Sequence, residues 1–187
     1  LGSTLKELNP TPSKSNHYSI KEAVLPFNKF PGSDPILGPE MLSTGEVMGV
    51  DEDVGLAFYK AQEAAGMHIG ASGKVMIVHD EKSKDEALDL HSMFEDLHYQ
   101  STTVSQDELS QTTKLKNHLD KVENMEVNLL VSFPFAKRDN QEYTLRRSAL
   151  ERNIPIVTTK RACLFTLKAI KSINTKKVNV NTITSYY

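Results

Sequence analysis

Hydrophobic and polar positions split the chain into two stretches of different character. From residue 74 onward, short apolar runs alternate with helical repeats. KVMIVH at 74–79 is nearly continuous in apolar residues, the pattern of a parallel strand covered on both faces. Ala87, Leu90, Phe94 and Leu97 then recur at helical spacing, and Leu115, Leu119 and Val122 mark a second helix. Residues 99–104 form a weaker β run, and 127–133 form another buried strand. A third helix over 143–152 breaks at Asn153 and Pro155, and a fourth strand spans 154–158. A fourth helix over 163–173 offers Leu164, Leu167, Ala169 and Ile170 to a core. The alternation at 178–183 predicts a last strand at the sheet edge.

Five strands interleaved with four helices make the fold class α/β. Each crossover lays a helix on one side, which implies an open five-stranded parallel sheet with helices on both faces. In such sheets ligands bind beyond the carboxyl ends of the strands, near the switch in strand order. The candidate pocket therefore falls at His79 and Asp80, at 104–107, at 132–135, and at Thr158 and Thr159.

The first 70 residues follow other rules. PGSDPILGPE at 31–40 packs three prolines and two glycines into ten residues, which excludes helix and central strand. Residues 22–25, ending at Pro26, suit an extended edge segment. Acidic residues 51–53 stand where a helix starts, and Val54, Ala57, Phe58, Ala61 and Ala64 repeat at helical spacing. Gly66 fits the left-handed position past that helix. One amphipathic helix cannot bury a core of its own. Residues 1–70 thus read as the tail of a larger domain, and 71–187, across the GASG joint at 70–73, as a second domain that folds by itself. The opening LGSTLKELNP, with neither Met nor a signal-peptide layout, reads as the start of a fragment.

Composition changes this picture little. At 39% hydrophobic and 25% charged the chain is globular rather than disordered. A net charge of -2 calls for neither nucleic acid nor an anionic membrane as partner, and no stretch approaches the ~20 apolar residues that span a bilayer. The single Cys163 sits among apolar neighbours and reads as a core thiol in a reducing, cytoplasmic setting. The six histidines are scattered, with no metal-ligand spacing, and His91 falls on the inner side of its helix. Glu40 and Glu46 have no His or Lys beside them and read as structural. Two basic doublets, Lys137–Arg138 and Arg146–Arg147, flank the third helix, either as a solvated face or as an anion site at the sheet edge. Of the second doublet, Arg147 is the one expected to turn inward.

The run HYSIKEAVLPFNKFPGSDPILGPEMLSTGEVMGVDEDVGLAFYKAQEAAG at 17–66, with its tetrads LPFN, LGPE and STGE, resembles the closing stretch of the second ATP-grasp half of bacterial and plastid-type carbamoyl phosphate synthetases. Residues 74–173 then stand where that family carries a regulatory domain of methylglyoxal synthase-like fold, and LRRSALERNIPIVTT at 145–159 is similar to its helix and strand. The resemblance implies a reaction for the intact enzyme: glutamine-derived ammonia, bicarbonate and two ATP give carbamoyl phosphate for arginine and pyrimidine synthesis. It implies a glutaminase subunit or domain as partner, small-molecule effectors and an oligomer. ATP with magnesium, manganese or potassium would be held upstream, so no catalytic residue and no cofactor is expected in this stretch.

The resemblance also implies effector residues. Glu22, Ala23 and Leu25 match the family's K-E-x-V-L contact stretch for ornithine, and Thr158 matches a threonine of the fourth strand, while Val157 replaces an Asp. The nucleotide monophosphate site is degenerate. Its T-x-G-T turn aligns with Val104-Ser-Gln-Asp107, its hydroxyl run with residues 132–135 (SFPF), and what remains for an anion is Ser132, Lys137, Arg138 and Arg147. An ornithine-like cation is therefore the expected effector. The alternatives are a structural remnant blind to effectors, or a stand-alone methylglyoxal synthase-like enzyme, whose acidic base and glycine-rich phosphate loop the sequence does not show.

Overall fold

The computed structural model describes residues 2–8, 16–25, 27, 34, 36, 45–133 and 140–186. The chain opens with a short helix α1 (Leu5–Leu8), in which Thr4 and Glu7 cap each other's amides. Strands β1 (Tyr18–Val24) and β2 (Gly45–Asp51) pair antiparallel with Glu22 opposite Val47. Helix α2 (Val54–Ala64) follows, capped by Asp53 and ended at Gly66 with φ of 84°.

The sheet then builds from β3 (Gly73–His79), α3 (Lys84–Glu95) and β4 (Tyr99–Ser105). Next come α4 (Gln106–Leu109), α5 (Thr112–Glu123), β5 (Leu129–Ser132) and α6 (Asn140–Glu151). The two-residue β6 (Ile156–Val157) and α7 (Lys160–Thr175) complete it. The strands are parallel in the order β4-β3-β5-β6. Alternate residues of β3 feed opposite cores, as a period of two requires. Val75 and Ile77 meet Ala87, Leu90 and Phe94 of α3 and Cys163, Leu167 and Ile170 of α7. Met76 and Val78 meet Leu109, Val122, Leu145 and Ala149 on the other face. Cys163 is fully buried, and burial, with some help from Glu86, pushes its thiol up to about 12.

The sheet has four strands among the described residues, not five. Residues 177–182 form no ladder, and a 3-10 turn (Ile183–Tyr186) ends the described chain. The alternation that suggested a strand points outward: Val178 is 39% and Val180 97% exposed. Beside it, β6 offers only two residues for pairing. The tail instead returns to the front of the molecule, where the Tyr186 hydroxyl donates to the Val50 carbonyl (3.2 Å) and its ring lies against His17.

The front joins the sheet through two glycines. A Cβ on Gly49 of β2 would stand 2.0 Å from the Ala57 carbonyl oxygen of α2, and one on Gly55 of α2 would stand 2.3 Å from Ser172 Oγ and 2.6 Å from the Lys168 carbonyl oxygen of α7. Layers β2, α2 and α7 therefore approach backbone to backbone. Around that contact Asp53 caps Leu56 N–H (2.9 Å), accepts from the Ser172 hydroxyl (2.7 Å) and pairs with Lys176 (2.6 Å).

Gly55→Val should cost about 1–3 kcal/mol through overpacking against α7. It should be read as a lower urea midpoint, while Gly45→Ala, whose Cβ meets nothing within 4 Å, should leave the midpoint nearly unchanged. A neutral Gly55→Val would refute the contact. The Asp53 carboxyl sits at about 2, below its ordinary 3.8: burial would raise it, but bonds from Lys176, Ser172 and the Leu56 amide outweigh that. A depressed carboxylate stabilises the fold above its unfolded pKa and loses that contribution as pH falls through the folded one. The difference in melting temperature between the parent and Asp53→Ala should hence be constant above about pH 4 and narrow toward pH 2.

Candidate functional site

Three of the four parallel strands deliver their ends to one opening. The turn after β3 and the start of α3 bring Asp80, Lys82, Ser83 and Glu86, the end of β5 brings Phe133, and the turn from β6 into α7 brings Thr158, Thr159 and Lys160. Together they line an open pocket of about 450 Å³. It adjoins the point where the chain leaves β3 for β4 on one side and returns to β5 on the other.

Local bonding fixes the pocket's walls. The Asp80 carboxylate accepts from the Ser83 hydroxyl (2.7 Å) and amide (2.9 Å), and the Asp80 amide donates to Ser83 Oγ (3.1 Å). The Ser83 hydroxyl foremost holds the Asp80 carboxyl below its usual range. Lys160 pairs with Glu86 at 3.0 Å. Thr159 caps α7 by accepting from the Ala162 amide (3.2 Å). The Thr158 hydroxyl has no partner among the described residues. Two carboxylates and two ammonium groups thus face one opening, so its charges balance and an incoming phosphate meets Asp80 and Glu86 as well as the lysines.

Residues 104–107 do not line this pocket. Val104 is buried, Ser105 accepts from the Glu108 amide (3.3 Å) to cap α4, and Asp107 is exposed in the first turn of that helix. Lys137 and Arg138 lie outside the described residues. The Ser132 hydroxyl is fully buried, donating to Glu142 Oε1 (2.8 Å) and accepting from Arg146 (3.2 Å). Of the second doublet, Arg146 rather than Arg147 turns furthest inward, because α6 lays Glu142, Leu145, Arg146 and Ala149 on its buried side. The Arg146 guanidinium pairs with Glu142, and with both oxygens of Asp34 (3.0 and 2.8 Å) from the proline-rich segment. Arg147 donates to Glu151 (3.1 Å) and to the Phe27 carbonyl (3.4 Å).

Glu22 and Ala23 of β1, and Leu25 just past it, are not in the lining of that pocket, whereas Thr158 is. Glu22 is half-buried and accepts from Gln62 Nε2 of α2 (2.9 Å). Burial raises its carboxyl above the ordinary 4.5, offset in part by the Gln62 bond, and no cation pairs with it among the described residues. Ala23 is exposed and Leu25 partly buried. Lys82, Ser83, Glu86 and Lys160 were not singled out in the sequence. The three-residue spacing of Asp80 and Ser83, a common turn-capping pattern, was the available signal for the first loop. The only local mark of Arg146 is Glu142 at four residues' spacing, which fits a surface pair equally well; its other partner, Asp34, lies 112 positions away. Among the described residues no group of three or more His, Cys, Asp or Glu is placed to hold a metal.

Arg146→Met should destabilise by about 3–5 kcal/mol, since Glu142, with a side chain 3% exposed, would lose the counter-ion it has among the described residues. Asp34→Asn should cost no more than about 1 kcal/mol, because Asp34 is 33% exposed. Urea titrations of both variants decide this, and equal costs would refute the asymmetry.

No family model matches the chain. It is 38% identical over 203 residues to the carbamoyl phosphate synthase large chain of Archaeoglobus fulgidus, a match covering 100% of this chain and 19% of the relative. It is 38% identical over 180 residues to the carbamoyl phosphate synthase large chain, C-terminal section, of Aquifex aeolicus, covering 89% of this chain and 34% of that one. Against the large chain of Methanosarcina barkeri the identity is 34% over 100% of this chain and 51% of that protein. The chain thus spans from about a fifth to about half of the length of these relatives. With identity of this order along its whole length, the chain belongs to the carbamoyl phosphate synthase large-chain family, as a C-terminal portion.

Proposed function

We propose that this chain is the regulatory and interface portion of a glutamine-dependent carbamoyl phosphate synthase, the intact enzyme making carbamoyl phosphate from glutamine-derived ammonia, bicarbonate and two ATP. In this reading the ATP-grasp core and its metals belong to other parts of the large chain, and a glutaminase subunit or domain supplies the ammonia. The portion described here senses an effector in the cytoplasm. That effector is an ornithine-like cation received by Glu22 with Ala23, Leu25 and Thr158, not a nucleotide monophosphate.

The reading rests on Glu22. A half-buried carboxylate that has a neutral amide as partner and a raised pKa is under-compensated, and an ammonium group arriving beside it regains that cost. The degenerate anion residues point the same way. Ser132 is engaged by Glu142 and Arg146, and the pocket beyond the strands sets Asp80 and Glu86 against a phosphate.

In the full-length enzyme, Glu22→Ala should raise the half-activating concentration of ornithine at least tenfold. Losing one charge-assisted bond costs about 1.5–3 kcal/mol, and ~1.4 kcal/mol is a factor of ten. Thr158→Val should weaken activation less. Unchanged activation in Glu22→Ala overturns this reading and leaves the domain a structural remnant, and micromolar binding of a nucleotide monophosphate by calorimetry overturns it in favour of a working nucleotide site.

A further inference from the structure

Helices α3 and α7 cover one face of the sheet, and the Lys160–Glu86 pair (3.0 Å) joins their first turns. Beside that pair a groove of about 700 Å³ opens, floored by Met93, Leu97, Leu164, Phe165 and Leu167. Its volume lies within the range of small-molecule sites. The α7 wall runs from Lys160 to Lys171, about 16 Å at the rise of a helix. Charge on the two walls is unequal. Arg161, Lys168 and Lys171 line the α7 side, all exposed, and none makes an ion pair among the described residues. On the α3 side the lining holds Asp96, while Asp85 and Asp89 are exposed outside it. The Lys168 ammonium stands 4.9 Å from the centre of the Phe165 ring, so one cation is held directly over the apolar floor.

We propose that this groove binds a single-chain amphiphile with an anionic head, such as a free fatty carboxylate. The chain lies on the apolar floor, and the head rests on the cations of α7. Covering the floor removes methylenes from water, and three unpaired cations against one carboxylate favour a negative head. Lys160 adds little, because Glu86 already holds it. A short polar anion gains nothing from the floor, and a cationic amphiphile meets like charge along the whole α7 wall. An anionic membrane is a poorer occupant than a single chain. The floor is recessed between two helices, and exposed Asp85 and Asp89 on α3 would face the lipid headgroups. None of Glu22, Ala23, Leu25 and Thr158 lines the groove, so this site stands or falls apart from the effector reading.

Calorimetry of the full-length large chain with decanoate, kept below its micelle concentration, tests the assignment. Saturable binding is expected. Hexanoate should bind at least tenfold more weakly, since each methylene taken out of water contributes up to about fourfold. Decyltrimethylammonium, with the same chain and the opposite charge, should also bind at least tenfold more weakly than decanoate. Lys168→Glu with Lys171→Glu should lose at least tenfold in decanoate affinity by repelling the head. Met93→Glu should lose as much by setting a carboxylate on the floor. All three positions are exposed, and circular dichroism of each variant checks that the fold is kept. Absence of saturable decanoate binding, equal affinity for the cationic amphiphile, or variants that bind like the parent each overturn the proposal. Co-sedimentation with phosphatidylglycerol vesicles that decanoate does not displace overturns it in favour of a membrane surface.

Discussion

The molecule turns on one close approach, that of the α2 backbone to the α7 backbone at Gly55. Helix α7 already has a face committed to the sheet through Cys163, Leu167 and Ile170. Its other face receives α2, on which β2 is seated through Gly49, and β2 in turn pairs with β1. The position of Glu22 is therefore inherited through three layers from the sheet. Asp53 with Lys176 and Asp34 with Arg146 tie the same two regions at separate places. A side chain larger than hydrogen at residue 55 would push against all of them together.

This arrangement also explains what was readable in the chain beforehand. Strands β3 and β5 are covered on both faces, so their apolar runs are dense, and α3, α5 and α7 each bury a stripe at helical spacing. The edges were harder. Val178 and Val180 alternate as a strand does, yet no partner extends far enough to pair with them. β2 passed unnoticed because it is GEVMGVD, interrupted by the very glycine that α2 needs. The inward turn of Arg146 was invisible because one of its carboxylate partners, Asp34, lies 112 positions away, while Glu142, four residues back on the same helix, reads like an ordinary surface pair. Charge at a position says nothing of depth until its counter-ion is known.

The candidate site shows how few residues separate one ligand class from another. At the end of β4 the chain enters α4 at once, the Ser105 hydroxyl takes the Glu108 amide, and Asp107 and Glu108 set carboxylates in the first turn, where a phosphate would otherwise approach. At the end of β5 the hydroxyl of Ser132 has turned away to serve Glu142 and Arg146. What stays open between β3, β5 and β6 is a balanced set of acids and bases, with the Thr158 hydroxyl unspent among the described residues.

Cys163 carries a consequence for how the fold is watched. With its thiol at about 12, roughly one molecule in 100,000 is ionised there at neutral pH, and no solvent reaches the sulfur. Alkylating reagents therefore wait for the core between α3, α7 and the sheet to open. As the sequence contains no second cysteine, the labelling rate of an unmodified chain is a clock for that opening. It times the release of α7, the helix on which both halves of the molecule rest.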